Sequence, residues 1–61
     1  MQLVEELIGR KVTVFTDQSG TERQDVVTLE AVDQTWLKAR KGEDITYFNI
    51  AKIRLVRPFE P

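Results

Sequence analysis

Val26-Val27-Thr28-Leu29-Glu30-Ala31-Val32-Asp33-Gln34-Thr35-Trp36-Leu37-Lys38-Ala39-Arg40, then Lys41-Gly42-Glu43-Asp44, then Ile45-Thr46-Tyr47-Phe48, reads as a three-strand meander. β-branched and aromatic residues fill the three runs, as a pleated, half-buried surface favours. Gln34-Thr35 is a tight connection, and Gly42 supplies positive φ in the second turn. Strict alternation puts Val27, Leu29 and Ala31 on one face. Yet Leu29 and Val32, three apart, both have the character of core residues. A β-bulge near Glu30-Ala31 reconciles them by bending the strand and changing its phase. Small barrels need such a bend to close. In the next strand Leu37 and Ala39 face inward, and Trp36, Lys38 and Arg40 face outward.

Outward from this meander, Lys11 to Thr16 alternates, with Val12 and Val14 assigned to the core and Phe15 to the outside. Asp17-Gln18-Ser19-Gly20 is a turn cluster that joins this strand to the meander. Asn49 to Lys52 is too short for an α-helix and reads as a single helical turn. Ile53 to Arg57 is the last strand, stopped by Pro58 and followed by the tail Phe59-Glu60-Pro61. At the other end Leu3, Val4, Leu7 and Ile8 form one helical stripe over residues 1–8, and Gly9 stands where a helix ends. Two turns of helix are unstable alone in water, so this stripe should plug an open barrel end. The whole chain, residues 1–61, is thus expected to be one all-β domain. It would be a strongly bent five-stranded barrel of the SH3-like kind, with its strands over 11–57 and a short N-terminal α-helix over 1–8.

Sixty-one residues with no cysteine and no histidine exclude disulfides and the usual zinc sites. A chain this short is marginal alone and needs a staple; by elimination, that staple is other copies of itself. Two strands support this, being apolar on both faces: Ile45 and Tyr47 opposite Phe48, and Ile53 and Leu55 opposite Val56. Apolar edges invite strand addition, and Tyr47, Phe48, Leu55 and Val56 are the expected interface of a homo-oligomeric ring. The absence of cysteine fits a reducing, cytoplasmic setting. No stretch suggests a signal peptide or a membrane span.

Charge is uneven. Residues 1–35 carry three basic side chains and seven acidic ones, a net −4; residues 36–61 carry six and three, a net +3. Such asymmetry marks an anion-binding face, or it means that acids and bases meet across the barrel. The second is the simpler reading, because the chain as a whole lacks a basic excess.

Catalysis is not expected. The commonest general base and the strongest nucleophile are missing. Glu5-Glu6 and Glu43-Asp44 read as solvated charge, and the glycines form no phosphate cradle. No cofactor is implied. Single-strand binders combine a basic track with aromatic platforms, and Trp36, Tyr47 and Phe48 lie among Lys38, Arg40, Lys41, Lys52 and Arg54. Asp33 either accepts from a base or caps its own turn, capping being the simpler role. A proline-rich-peptide groove would need clustered aromatics, and Phe15, Trp36, Tyr47, Phe48 and Phe59 are scattered along the chain.

The order of elements resembles the Sm-like family, the Lsm and Hfq-like barrels. The matching pieces are Leu7-Ile8-Gly9 before Val12 and Val14, the Leu29 and Val32 pair before Asp33-Gln34, and Phe48-Asn49-Ile50-Ala51-Lys52-Ile53 near the end. The resemblance spans nearly the whole chain and implies a ring of subunits that binds RNA or single-stranded nucleic acid. Of the family's binding residues only Asp33 and Gln34 carry over by identity. Val27 stands where the family usually has glycine, Leu37 near its asparagine, and Thr46-Tyr47-Phe48 in place of Arg-Gly or Tyr-Lys-His. The last two strands are also similar to the plasmid-type dihydrofolate reductase barrel, but Ile45-Thr46-Tyr47-Phe48 lacks the matching Gln and Tyr of its Val-Gln-Ile-Tyr signature.

Overall fold

The computed structural model describes residues 2–59, with the side chains of all these but Gln2, Leu3 and Gln18. Five antiparallel strands form one sheet: β1 (Lys11–Gln18), β2 (Thr21–Val32), β3 (Trp36–Lys41), β4 (Asp44–Asn49) and β5 (Ile53–Pro58), in spatial order β4-β3-β2-β1-β5. β4 and β5 are the two edges, not hydrogen-bonded to each other, so the sheet is open.

Each turn follows from its residues. The β1–β2 turn is tighter than the sequence suggests: Gln18 pairs with Thr21, and only Ser19 and Gly20 lie between. Both have positive φ, 53° and 80°, the signature of the type I′ turn that matches strand twist. Asp17, Gln18 and Thr21 to Gln24 therefore belong to strands. Lys41 pairs with Asp44 around Gly42, whose φ is 63°. Between β4 and β5, Ile50–Lys52 form one 3-10 turn, with the Asn49 side chain accepting from the Ala51 N–H at 2.9 Å.

The long strand bends where the hydrophobic pattern changes phase. Leu29 pairs with Ala39 and Ala31 with Lys38, so Glu30 is an extra residue in β2. Beyond this bulge Val32, not Ala31, packs against the core. A second bulge, not anticipated, lies in β5: Phe15 pairs with Leu55 and Thr16 with Ile53, leaving Arg54 extra. The buried core is Val12, Val14, Val27, Leu29, Leu37 and Ala39. Fully burying a Val- or Leu-sized side chain contributes about 1.5–3 kcal/mol. Half-buried Val4, Leu7, Phe48 and Val56 pack around this core.

The N-terminal helix is shorter than the apolar stripe implies. One turn, Gln2–Glu5, is α-helical, and residues 6–9 continue as turns. Their backbone bonds run back three residues, from Leu7 N–H to Val4 C=O at 2.9 Å and from Arg10 N–H to Leu7 C=O at 2.9 Å. The reason is capture by β2. The Gly9 N–H donates to Leu29 C=O at 2.7 Å, and the Leu29 N–H donates to Arg10 C=O at 3.0 Å. Extending the sheet ladder satisfies these groups better than a second, solvent-exposed helical turn could. Val4 and Leu7 still cover one end of the core, while Ile8 is 44% exposed. The expected places of Met1, the Leu3 side chain, Glu60 and Pro61 lie outside what the structure describes.

Candidate functional site

The alternation expected of β3 is observed. Leu37 and Ala39 are buried, and Trp36, 45% exposed, lies on the opposite, outer face with Lys38 and Arg40. The β3–β4 register then fixes β4: Leu37 opposes Phe48, Lys38 opposes Tyr47 and Arg40 opposes Ile45. Phe48 accordingly faces inward and packs on the core. Tyr47, 58% exposed, and Ile45, 39% exposed, stand on the outer face.

Three outer-face side chains surround a shallow depression of about 220 Å³: Trp36, Lys38 and Tyr47, with Ala31, Val32 and Asp33 completing it. Asp33 shapes its rim. One carboxylate oxygen, Oδ1, accepts from the Trp36 and Thr35 N–H groups, each at 2.7 Å. These bonds, that from Trp36 first, hold the Asp33 carboxyl below its ordinary value of 3.8. Asp33 is thus an ionised cap that sets the angle at which Trp36 leaves the turn. Gln34, exposed in the same turn, does not line the depression.

The remaining cations do not form one track. Arg40 pairs with Glu30 at 3.4 Å, Lys41 with Asp25 at 3.3 Å, and Arg54 with Glu22. Every one of these pairs joins a base of the C-terminal half to an acid of the N-terminal half, so the charge asymmetry of the sequence cancels across the sheet. Lys38 and Lys52 have no carboxylate partner among the described residues. Lys38 belongs to the outer depression; Lys41 and Lys52 line a separate groove.

Two features escaped the sequence reading. Asp25, 7% exposed, is a buried acid on the core face, in phase with Val27 and Leu29. The alternation Asp25, Val27, Leu29 was its available signal. Phe15 carries the guanidinium groups of Arg54 and Arg57 at 5.9 and 5.8 Å from its ring centre, cation–π distances that depend on the β1–β5 pairing.

Among the described residues, no cluster of His, Cys, Asp and Glu could hold a metal ion, and no helix is long and apolar enough to cross a membrane. No family model, curated protein or solved structure matches the chain.

Proposed function

We propose that this protein is a non-catalytic, self-assembling Sm-like barrel that binds RNA or other single-stranded nucleic acid through the Trp36–Lys38–Tyr47 depression. The observation that carries the reading is two solvent-exposed aromatic rings flanking a lysine without a carboxylate partner among the described residues. Bases stack on such rings whatever their sequence, and the lysine attracts the phosphate backbone. Asp33 acts by positioning Trp36. Arg40, beside Lys38 on the outer face, exchanges Glu30 for phosphate at small cost, since exposed ion pairs contribute only about 0–1 kcal/mol.

Self-assembly is supported by the two bare edges. An antiparallel register that sets Tyr47 of one copy beside Leu55 of the next also sets Ile45 beside Arg57. It brings Glu43 and Asp44, at the start of β4, near Arg57, at the end of β5. The edges therefore complement one another in charge and in apolar surface, as strand addition requires. Because β4 and β5 differ, this contact is head-to-tail and generates a ring where the rotation closes.

The test uses Trp36, the single tryptophan of the chain, as its own probe. Single-stranded oligonucleotide should quench its fluorescence at low ionic strength. With about two phosphates neutralised, log affinity should fall against log salt with a slope near −1.5. Read by the anisotropy of an end-labelled oligonucleotide, because the variant has no tryptophan, Trp36→Ala should weaken binding by about 5- to 150-fold, the equivalent of ~1–3 kcal/mol of stacking. Absence of any salt-sensitive binding would remove the nucleic-acid reading. It would leave the second one, an assembly module, which the exposed Ile45 and Tyr47 on an edge strand favour.

A further inference from the structure

A second hollow lies on the other face of the sheet, at the end of the core opposite the N-terminal turn. It is a groove of about 480 Å³ whose lining includes Val27, Phe48, Asp25, Arg23, Lys41 and Lys52. Its size is that of a small-molecule site. We propose that it binds a small organic phosphate of nucleoside-monophosphate size. The proposal is independent of the nucleic-acid reading, which concerns the outer depression.

Asp25 organises the groove wall. Its side chain is 8% exposed, and its two oxygens hold two different cations: Arg23 at 3.3 Å and Lys41 at 3.3 Å. The outer ends of both cations remain largely in solvent, with side chains 64% and 60% exposed. One buried acid thus anchors two cations at the groove wall, each with N–H groups to spare. Their combined charge exceeds that of Asp25 by one. Lys52, also in the lining, adds a third cation, without a carboxylate partner among the described residues. Asp17, also at the groove, is the only other lining acid.

The uncharged lining is donor-rich as well. The Asn49 side-chain oxygen is taken by the Ala51 N–H, which leaves its amide NH₂ to donate at the rim. Tyr47, 58% exposed, and Phe48, half-buried, supply the accessible apolar surface, over buried Val27. A flat apolar body fits against that surface, and a dianionic phosphate suits anchored cations better than a neutral or cationic head group does.

The test is an amide NMR titration of the ¹⁵N-labelled chain with adenosine 5′-monophosphate, ribose 5-phosphate, adenosine and inorganic phosphate. The nucleotide should shift the amides of Thr46, Phe48 and Asn49 and saturate at about millimolar concentration. Ribose 5-phosphate should bind more weakly, and adenosine at least tenfold more weakly. Lys52→Gln, a change at an exposed residue, should raise the nucleotide Kd about tenfold or more. Asp25→Asn should also weaken binding, because it releases Arg23 and Lys41. Tighter binding by Asp25→Asn would show that the carboxylate merely opposes the anion, and would overturn the proposal. Equal binding of adenosine and the nucleotide would overturn it too, as would shifts confined to Ala31 and Trp36, or none at about 10 mM ligand. Oligonucleotide quenching of Trp36 is read separately, so failure of the groove leaves the outer site standing.

Discussion

Tyr47 and Phe48 are neighbours on one edge strand, and the structure assigns them opposite duties that a pair of alanine substitutions separates. Phe48 faces the core beside Leu37 and is half-buried. Truncating a fully buried phenylalanine costs about 3–5 kcal/mol; partial exposure reduces this to about 2–3 kcal/mol for Phe48→Ala. The chain's total stability should be about 3–9 kcal/mol, from the usual range per residue. The substitution therefore removes a large share of it, and Tm should fall by about 10–20 °C. Tyr47 is 58% exposed, so Tyr47→Ala should change chain stability by no more than about 0.5 kcal/mol. If β4 is an assembly edge, wild-type Tm rises with protein concentration, and Tyr47→Ala flattens that dependence. The assay is thermal and urea unfolding followed by circular dichroism over a wide concentration range. A Phe48→Ala chain as stable as wild type would refute the inward placement of Phe48. Comparable destabilisation by both changes at low concentration would refute the division of the strand into two faces.

Asp33 gives a prediction about pH. Its carboxyl is held below its ordinary value of 3.8 by the Trp36 and Thr35 N–H groups, so its stabilising effect is complete above that value and is lost as pH falls through the lower, folded value. Carbon-detected NMR should show Asp33 titrating below 3.8, and a midpoint at or above that value would contradict the capping geometry. At the β1–β2 turn, Ser19→Asn should stabilise the chain by about 0.5 kcal/mol, because asparagine tolerates positive φ better than serine; a loss in urea-unfolding free energy would show that the turn is not type I′. Deleting Glu30 removes the extra residue of the β2 bulge, which leaves Val32 in phase with Leu29 and opposite Leu37 but straightens the strand. The deletion should therefore keep cooperative unfolding at a lowered midpoint; loss of cooperative unfolding would refute the bulge, because in an unbulged strand the same deletion reverses the facing of Val32.

What the sequence revealed, it revealed through local periodicity. Val12, Val14, Leu29, Leu37 and Ala39 are core because their neighbours alternate with them, and the bulge at Glu30 was legible because Leu29 and Val32 break that alternation. The N-terminal helix was overread for the converse reason. The stripe of Leu3, Val4, Leu7 and Ile8 has helical spacing, but the backbone of Gly9 and Arg10 is claimed by Leu29, which lies far along the chain. Long-range pairing also decided the charges. Lys41 meets Asp25 across 16 positions, and Arg54 meets Glu22 across 32. Nothing in the local pattern marks these as partners. The basic C-terminal half that suggested one continuous track is therefore divided by the topology into neutralised pairs and separate cations.

Two of those separate cations lie at different hollows. Lys38 borders the outer depression, Lys52 borders the groove on the other face, and Tyr47 lines both. On the two proposals β4 would be the wall between sites of different chemistry: one aromatic and suited to a stacked base, the other donor-rich and suited to a phosphate group. The same strand is an unpaired edge. Adding a neighbour's β5 there would hold Tyr47 in place on both sides without occupying either hollow, since strand pairing uses backbone groups in the plane of the sheet. If both proposals hold, ordering Tyr47 by assembly would lower the cost of ordering it for a ligand, and the coupling would be reciprocal by linkage. Self-association and ligand binding would then converge on one six-residue strand, and a ligand at either site should favour the assembled state.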